Sequence, residues 1–153
     1  MPLSPHLACH GYGKGAGIFA LMVWLLLLPV AGFSGDEIVP EIIAGTNRVD
    51  AEKLIELESR SNLVIIDSRL LVDRRQGYIE GSVNLTDTVT DCDSLAAVAP
   101  DVKAPILFYC NGPRCPRSAR AAGIAQACGY RKVYWLRGGF EEWKQKKYPY
   151  IKK

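Results

Sequence analysis

Phe108-Tyr109-Cys110-Asn111-Gly112-Pro113-Arg114-Cys115-Pro116-Arg117-Ser118-Ala119-Arg120-Ala121-Ala122 is the run on which the reading of this chain turns. It opens at the end of an apolar stretch, Pro105 to Tyr109, whose short continuous character predicts a buried strand. It closes in the Ala-rich stretch Ser118 to Cys128, which predicts a helix. The loop between them carries two cysteines, two prolines and two arginines. A thiol at a strand end, just before a helix start, sits where unpaired backbone N–H groups and the positive end of the helix dipole favour negative charge. Such a field draws a cysteine below its free pKa of about 8.5. Arg114 and Arg117 add fixed positive charge, which favours both a thiolate and an anionic substrate.

Outward from this loop, the rest of the chain reads as alternating strands and helices. Asp50 is a helix cap for Ala51 to about Ser59, and Leu63 to Asp67 is a continuous apolar strand ending in a carboxylate. Leu70 to Tyr78 is a charged connection with room for one helical turn, and Ser82 to Leu85 is a further short strand. Asp91 to Val98 is a short helix, Gly129 stops the Ala-rich helix, and Lys132 to Leu136 is the next strand. Gly138-Gly139 turns into a last helix, about Phe140 to Lys146. This alternation predicts an α/β fold with a mainly parallel central sheet flanked by helices. Ligands in such sheets bind outside the carboxyl ends of the strands, where both Asp67 and Cys110 fall.

The N-terminal part has a different character. Lys14 is its sole Lys or Arg, Gly17 to Leu28 is an apolar run, and Pro29 is followed by small residues through Gly35. That layout predicts a secretory signal peptide over residues 1–35, with an uncleaved membrane anchor as the alternative. The run is short against the roughly 20 residues of a spanning helix. Either reading places the domain outside the cytoplasm, in the periplasm or another extracytoplasmic space, with membrane contact only if the segment is retained. Residues 36–48 read as a linker or edge segment, and residues 49–153 as the globular domain.

Charge and histidine content narrow the functions open to that domain. The chain of 153 residues has a net charge of +3, with 19 basic and 16 acidic residues, too balanced to point to nucleic acid. Both histidines, His6 and His10, lie in the N-terminal segment. The globular part therefore has no Cys-His or Ser-His pair, and it lacks the commonest zinc ligand. Two loop thiols alone are too few for a metal site, so no metal or organic cofactor is expected.

Three motifs together resemble the rhodanese homology domain. One is Cys110 closing a strand, an arginine-bearing loop, and Arg117-Ser118-Ala119-Arg120-Ala121-Ala122 opening a helix. A second, Gly77-Tyr78-Ile79-Glu80-Gly81-Ser82-Val83-Asn84-Leu85, is similar to the family's Gly-His-Ile-Pro-Gly-Ala-x-Asn-hydrophobic motif. A third, Leu136-Arg137-Gly138-Gly139-Phe140-Glu141-Glu142-Trp143, is similar to its Gly-Gly-hydrophobic-x-x-Trp ending. The resemblance runs from about Val49 to Tyr150. It implies a sulfurtransferase in which Cys110 accepts a sulfane sulfur as a persulfide from a small anionic donor such as thiosulfate. A thiol or a cyanide-like acceptor then takes the sulfur. Asn111, Gly112, Arg114, Cys115 and Arg117 would bind the donor, with Asp67 and Arg69 in support. Asp73 matches a frequent Glu position, and an Arg69–Asp73 ion pair is expected to hold that connection.

The chain departs from the family in its loop, which is longer than the sulfurtransferase form and also longer than that of phosphatases sharing the fold. A wider cradle can change the preferred anion. Cys115 is the second departure. As a resolving thiol it would attack a Cys110 persulfide or sulfenate and leave a Cys110–Cys115 disulfide, which opens an alternative: a thiol-disulfide redox or sulfur-carrier protein with a thiol-redox protein partner. A phosphatase-like or arsenate-reductase-like enzyme is a third reading, without an evident proton donor. A non-catalytic interaction module is a fourth, disfavoured by the cysteine. Cys92 and Cys128 read as structural and core residues, and Trp143 as core packing.

Overall fold

The computed structural model describes residues 38–60 and 62–152. The expected signal or anchor over residues 1–35 lies outside the described residues. Among the described residues no helix is long and apolar enough to cross a membrane. The elements, in chain order, are β1 (Asn47–Val49), α1 (Ala51–Arg60), β2 (Val64–Asp67), α2 (Leu71–Arg74) and β3 (Val83–Asn84). Then come α3 (Cys92–Val98), β4 (Ile106–Tyr109), α4 (Arg117–Ala127), β5 (Val133–Leu136) and α5 (Gly139–Gln145). The five strands form one parallel sheet in the order β1-β5-β4-β2-β3. This is the expected α/β architecture, with β4 at its centre.

Strand periodicity divides the core in two. On β4, Ile106 and Phe108 face one side and pack with Leu95, Ala121, Ala122 and Ala125 of α3 and α4. Leu107 and Tyr109 face the other and pack with Leu54, Phe140 and Trp143 of α1 and α5. Because β4 is covered on both faces, its residues are all apolar and all buried, which is why it could be read from sequence as a continuous run. Local caps agree with the sequence: Asp50 Oδ1 accepts from the Lys53 N–H at 2.8 Å, and Asp91 and Ser94 form a reciprocal capping box on α3.

Two features differ from expectation. Strand β1 straddles the expected boundary at residue 48, so Asn47 and Arg48 pair with Tyr134 and Trp135 of β5 and belong to the sheet. Cys92 and Cys128 are joined in a disulfide that ties the start of α3 to the end of α4. A cross-link with a sequence separation of 36 removes chain entropy from the unfolded state. Cys92→Ser is therefore expected to lower unfolding free energy by about 2–4 kcal/mol, measured by urea titration under non-reducing conditions. A loss near zero would mean that the bond does not constrain the domain.

Candidate active site

Helix α4 and strand β4 hold the loop Cys110–Pro116 between them, at the carboxyl edge of the sheet. Its near end is fixed by α5: the Phe140 N–H donates to the Cys110 carbonyl at 2.9 Å, and the Glu141 N–H to that of Asn111 at 2.8 Å. This contact explains the Gly-Gly pair. Gly139 has φ +60°, and a Cβ there would stand 2.4 Å from the Cys110 carbonyl oxygen. Gly138 has an ordinary helical φ of −64°, so the strained turn belongs to Gly139 alone. Gly139→Ala combines a left-handed backbone costing about 1–2 kcal/mol with a collision against the loop. The variant should melt lower and lose loop-dependent activity together, as read by calorimetry and assay; unchanged melting would overturn this account of the turn.

The loop's far end is fixed from β5, where the Trp135 indole N–H donates to Ser118 Oγ at 3.0 Å, inside the first turn of α4. Within the loop, the Cys115 N–H donates to the Gly112 carbonyl at 3.0 Å. Pro113 and Pro116 have no N–H. Among the described residues, the amides of Asn111, Gly112 and Arg114 have no acceptor. The donor set is thus smaller than a count of loop positions implies.

The sequence-selected residues converge. Asn111, Gly112, Arg114, Cys115 and Arg117, with Pro116 and Glu141, line one recess of about 370 Å³. Cys110 is not among its lining residues; it is 1% exposed, and its sulfur is bonded to that of Cys115, which does line the recess, with the two Cα atoms 6.0 Å apart. The two arginines are not equivalent. Arg117 is engaged: Nε lies 3.6 Å from Asp87 Oδ1, and Nη1 lies 3.9 Å from Cys115 Sγ. Asp87 also takes Arg120, at 2.6 Å, which gives that residue a role at the start of the helix. Arg114 is exposed and, among the described residues, its guanidinium has no ion-pair partner. Glu141 brings a carboxylate to the rim, against Gly112.

Beneath the loop lies a buried polar cluster. Arg69 pairs with Asp67, not with the expected Asp73: Nε donates to Oδ1 at 2.9 Å and Nη2 to Oδ2 at 2.7 Å. Two residues apart at a strand end, these side chains meet bidentately. Asp73 instead accepts from Asn111 Nδ2 at 3.1 Å, so the connection after β2 touches the active loop itself. Burial opposes the charge on Arg69, but the Asp67 carboxylate outweighs it and holds the guanidinium pKa above its ordinary value. The Tyr109 hydroxyl donates to Asp67 Oδ2 at 2.8 Å; burial and then the Asp67 charge push this phenol well above its ordinary pKa. Asp67 thus supports the loop through Tyr109, the residue before Cys110, without entering the recess.

Sequence reasoning missed Tyr109, Trp135, Asp87, Glu141 and Ser68. Ser68 follows Asp67 as Cys110 follows Tyr109, and Asp67 and Tyr109 are register partners on adjacent strands. Among the described residues its buried hydroxyl has no hydrogen-bond partner. The parallel pairing of β2 with β4 is the only signal that places it, and that is a tertiary fact.

The family model for the rhodanese-like domain matches residues 50–146. Thiosulfate sulfurtransferase GlpE of Pseudomonas putida is 31% identical over 97 residues, covering 63% of this chain and 84% of that protein. A solved structure described as rhodanese with anions from E. coli is 25% identical, covers 60% of this chain and 99% of that one, and has a TM-score of 0.51. The polysulfide-sulfur transferase homodimer of Wolinella succinogenes, at 17% identity, covers 72% and 82% with a TM-score of 0.60, a likeness of fold.

Proposed function

The chain belongs to the rhodanese-like domain family, and from that premise we propose that it is a sulfurtransferase whose Cys110, once reduced, takes a sulfane sulfur from a small anionic donor such as thiosulfate. The thiolate attacks the outer sulfur of the donor, sulfite leaves, and the persulfide so formed passes its terminal sulfur to a thiophilic acceptor. The observation that carries this reading is the placement of Cys110. It follows the central strand, inside the matched span, and is bonded to Cys115, which lines a recess bearing a free guanidinium. The open amides of Asn111, Gly112 and Arg114, with the unpartnered Ser68 hydroxyl, are donors suited to the negative sulfur of a persulfide.

Arg114 would meet the incoming anion first, because its guanidinium has no ion-pair partner among the described residues, whereas that of Arg117 lies 3.6 Å from Asp87 and 3.9 Å from Cys115 Sγ. A charge-assisted hydrogen bond of about 1.5–3 kcal/mol corresponds to a roughly 10–100-fold fall in kcat/KM for thiosulfate in Arg114→Ala. The assay is thiosulfate-to-cyanide transfer by the dithiol-reduced protein, with mass analysis of the loaded chain. Thiocyanate formation and the gain of one sulfur on Cys110 support the reading. A reduced protein that releases no sulfite from thiosulfate overturns it.

An extracytoplasmic location is part of the same proposal. The apolar run Gly17 to Leu28 and the Cys92–Cys128 disulfide support it, since such bonds persist in oxidising compartments. Fractionation of cells making the full chain tests it; recovery solely with cytoplasmic markers would sink it.

A further inference from the structure

Simple transfer through Cys110 leaves Cys115 without a role, yet Cys115 is the residue bonded to it. We propose that Cys115 is the resolving thiol of this site, so that the sulfur loaded on Cys110 leaves as hydrosulfide and the chain finishes the turnover oxidised. This rests on the reading of Cys110 as the sulfur-accepting nucleophile, and it names the acceptor: the chain itself, with an external dithiol behind it.

Geometry, access and charge point the same way. The Cα separation of 6.0 Å lies within the usual range for a disulfide, and the Cys115 N–H to Gly112 carbonyl bond closes the loop that brings the thiols together. Cys110 is 1% exposed, whereas Cys115 is half-buried and lines the recess. Arg117 Nη1 stands 3.9 Å from Cys115 Sγ, a fixed positive charge that favours a thiolate at 115 when the pair is reduced.

The steps balance. In the first, the Cys110 thiolate forms a bond to the outer sulfur of thiosulfate, and the sulfur–sulfur bond of the donor breaks to release sulfite. In the second, the Cys115 thiolate attacks Cys110 Sγ. The Cys110–Cys115 bond forms, the persulfide bond breaks, and the terminal sulfur leaves with the bonding pair, taking the proton that Cys115 gave up. The sulfane sulfur gains two electrons and the two thiols lose two. A dithiol restores the site and is itself oxidised to a disulfide. Access sets its route: the incoming thiolate attacks Cys115, the reachable sulfur, and Cys110 departs as the thiolate ready for another donor.

The test uses the full chain, reduced with dithiothreitol, freed of reductant without air, and given one equivalent of thiosulfate. Sulfite, hydrosulfide and mapped disulfides are then measured. The wild type should release sulfite and hydrosulfide in equal amounts and acquire the Cys110–Cys115 link. Cys115→Ser should still release sulfite, lose the hydrosulfide and keep a persulfide on Cys110. Wild-type protein that releases sulfite but retains the persulfide overturns the resolving role while leaving the sulfurtransferase reading intact. No sulfite from either protein overturns both. A second measurement does not depend on turnover. An aromatic disulfide reagent should label Cys115 in Cys110→Ser faster than it labels Cys110 in Cys115→Ser; the reverse order overturns the route through Cys115.

Discussion

Cys110→Ser loses thiosulfate-to-cyanide transfer by at least about a thousandfold, in line with what removal of an enzyme's covalent nucleophile costs. The hydroxyl is close in size to the thiol but is not ionised at neutral pH, and it cannot carry a sulfane sulfur. Folding should be little affected, because the contacts fixing this position are main-chain ones: Phe140 donates to its carbonyl and Ser68 to that of Tyr109. The cost in stability is confined to the Cys110–Cys115 link, so the variant is compared with reduced wild type. Circular dichroism should superimpose while transfer disappears. Retained transfer in a folded Cys110→Ser protein would move the chemistry to another residue.

Asp67→Asn has the largest expected effect on stability. One buried carboxylate accepts five hydrogen bonds: two from the side chain of Arg69, one from its backbone N–H, one from Arg74 and one from Tyr109. The Arg69 side chain is only 2% exposed, and Arg69 also spans to the Phe140 ring, 4.2 Å from its guanidinium carbon. An amide in place of the carboxylate removes the charge that balances Arg69 and turns an NH2 group toward other donors. Breaking a buried pair in this way costs about 3–5 kcal/mol. Set against the 5–15 kcal/mol of a typical domain, roughly a fifth or more of the stability goes. Urea unfolding gives the measurement, and a loss under about 1 kcal/mol would mean that Arg74 and Arg69 redistribute over other acceptors. Below its new melting point the variant should still load sulfur, because Asp67 does not reach the recess.

Much of the site was legible because it is local. Cys110, the loop arginines and the helix after them are contiguous, and the apolar runs at β2, β4 and β5 are covered on both faces. The capping of α1 by Asp50 spans three residues and needs nothing else to be recognised. What was misread lay across the sequence. Strand β1 is three residues with no apolar run and exists by pairing with β5. The Asp73 side chain was assigned to Arg69 by proximity in sequence, but the bidentate fit of Asp67 and the reach of Asn111 decide otherwise.

From the order of its residues alone, the protein's α/β alternation, the central strand and the thiol at its end could be derived, since each follows from backbone propensity and hydrophobic period over a few neighbours. Folding alone decided which charges and thiols meet. Arg117 goes to Asp87 and Cys115, Arg114 remains open to solvent, Cys92 joins Cys128, and Gly139 lies against Cys110. Ion pairs, disulfides and steric exclusion act over a few ångströms of space, and the sheet order that sets those distances is written in no single stretch of chain.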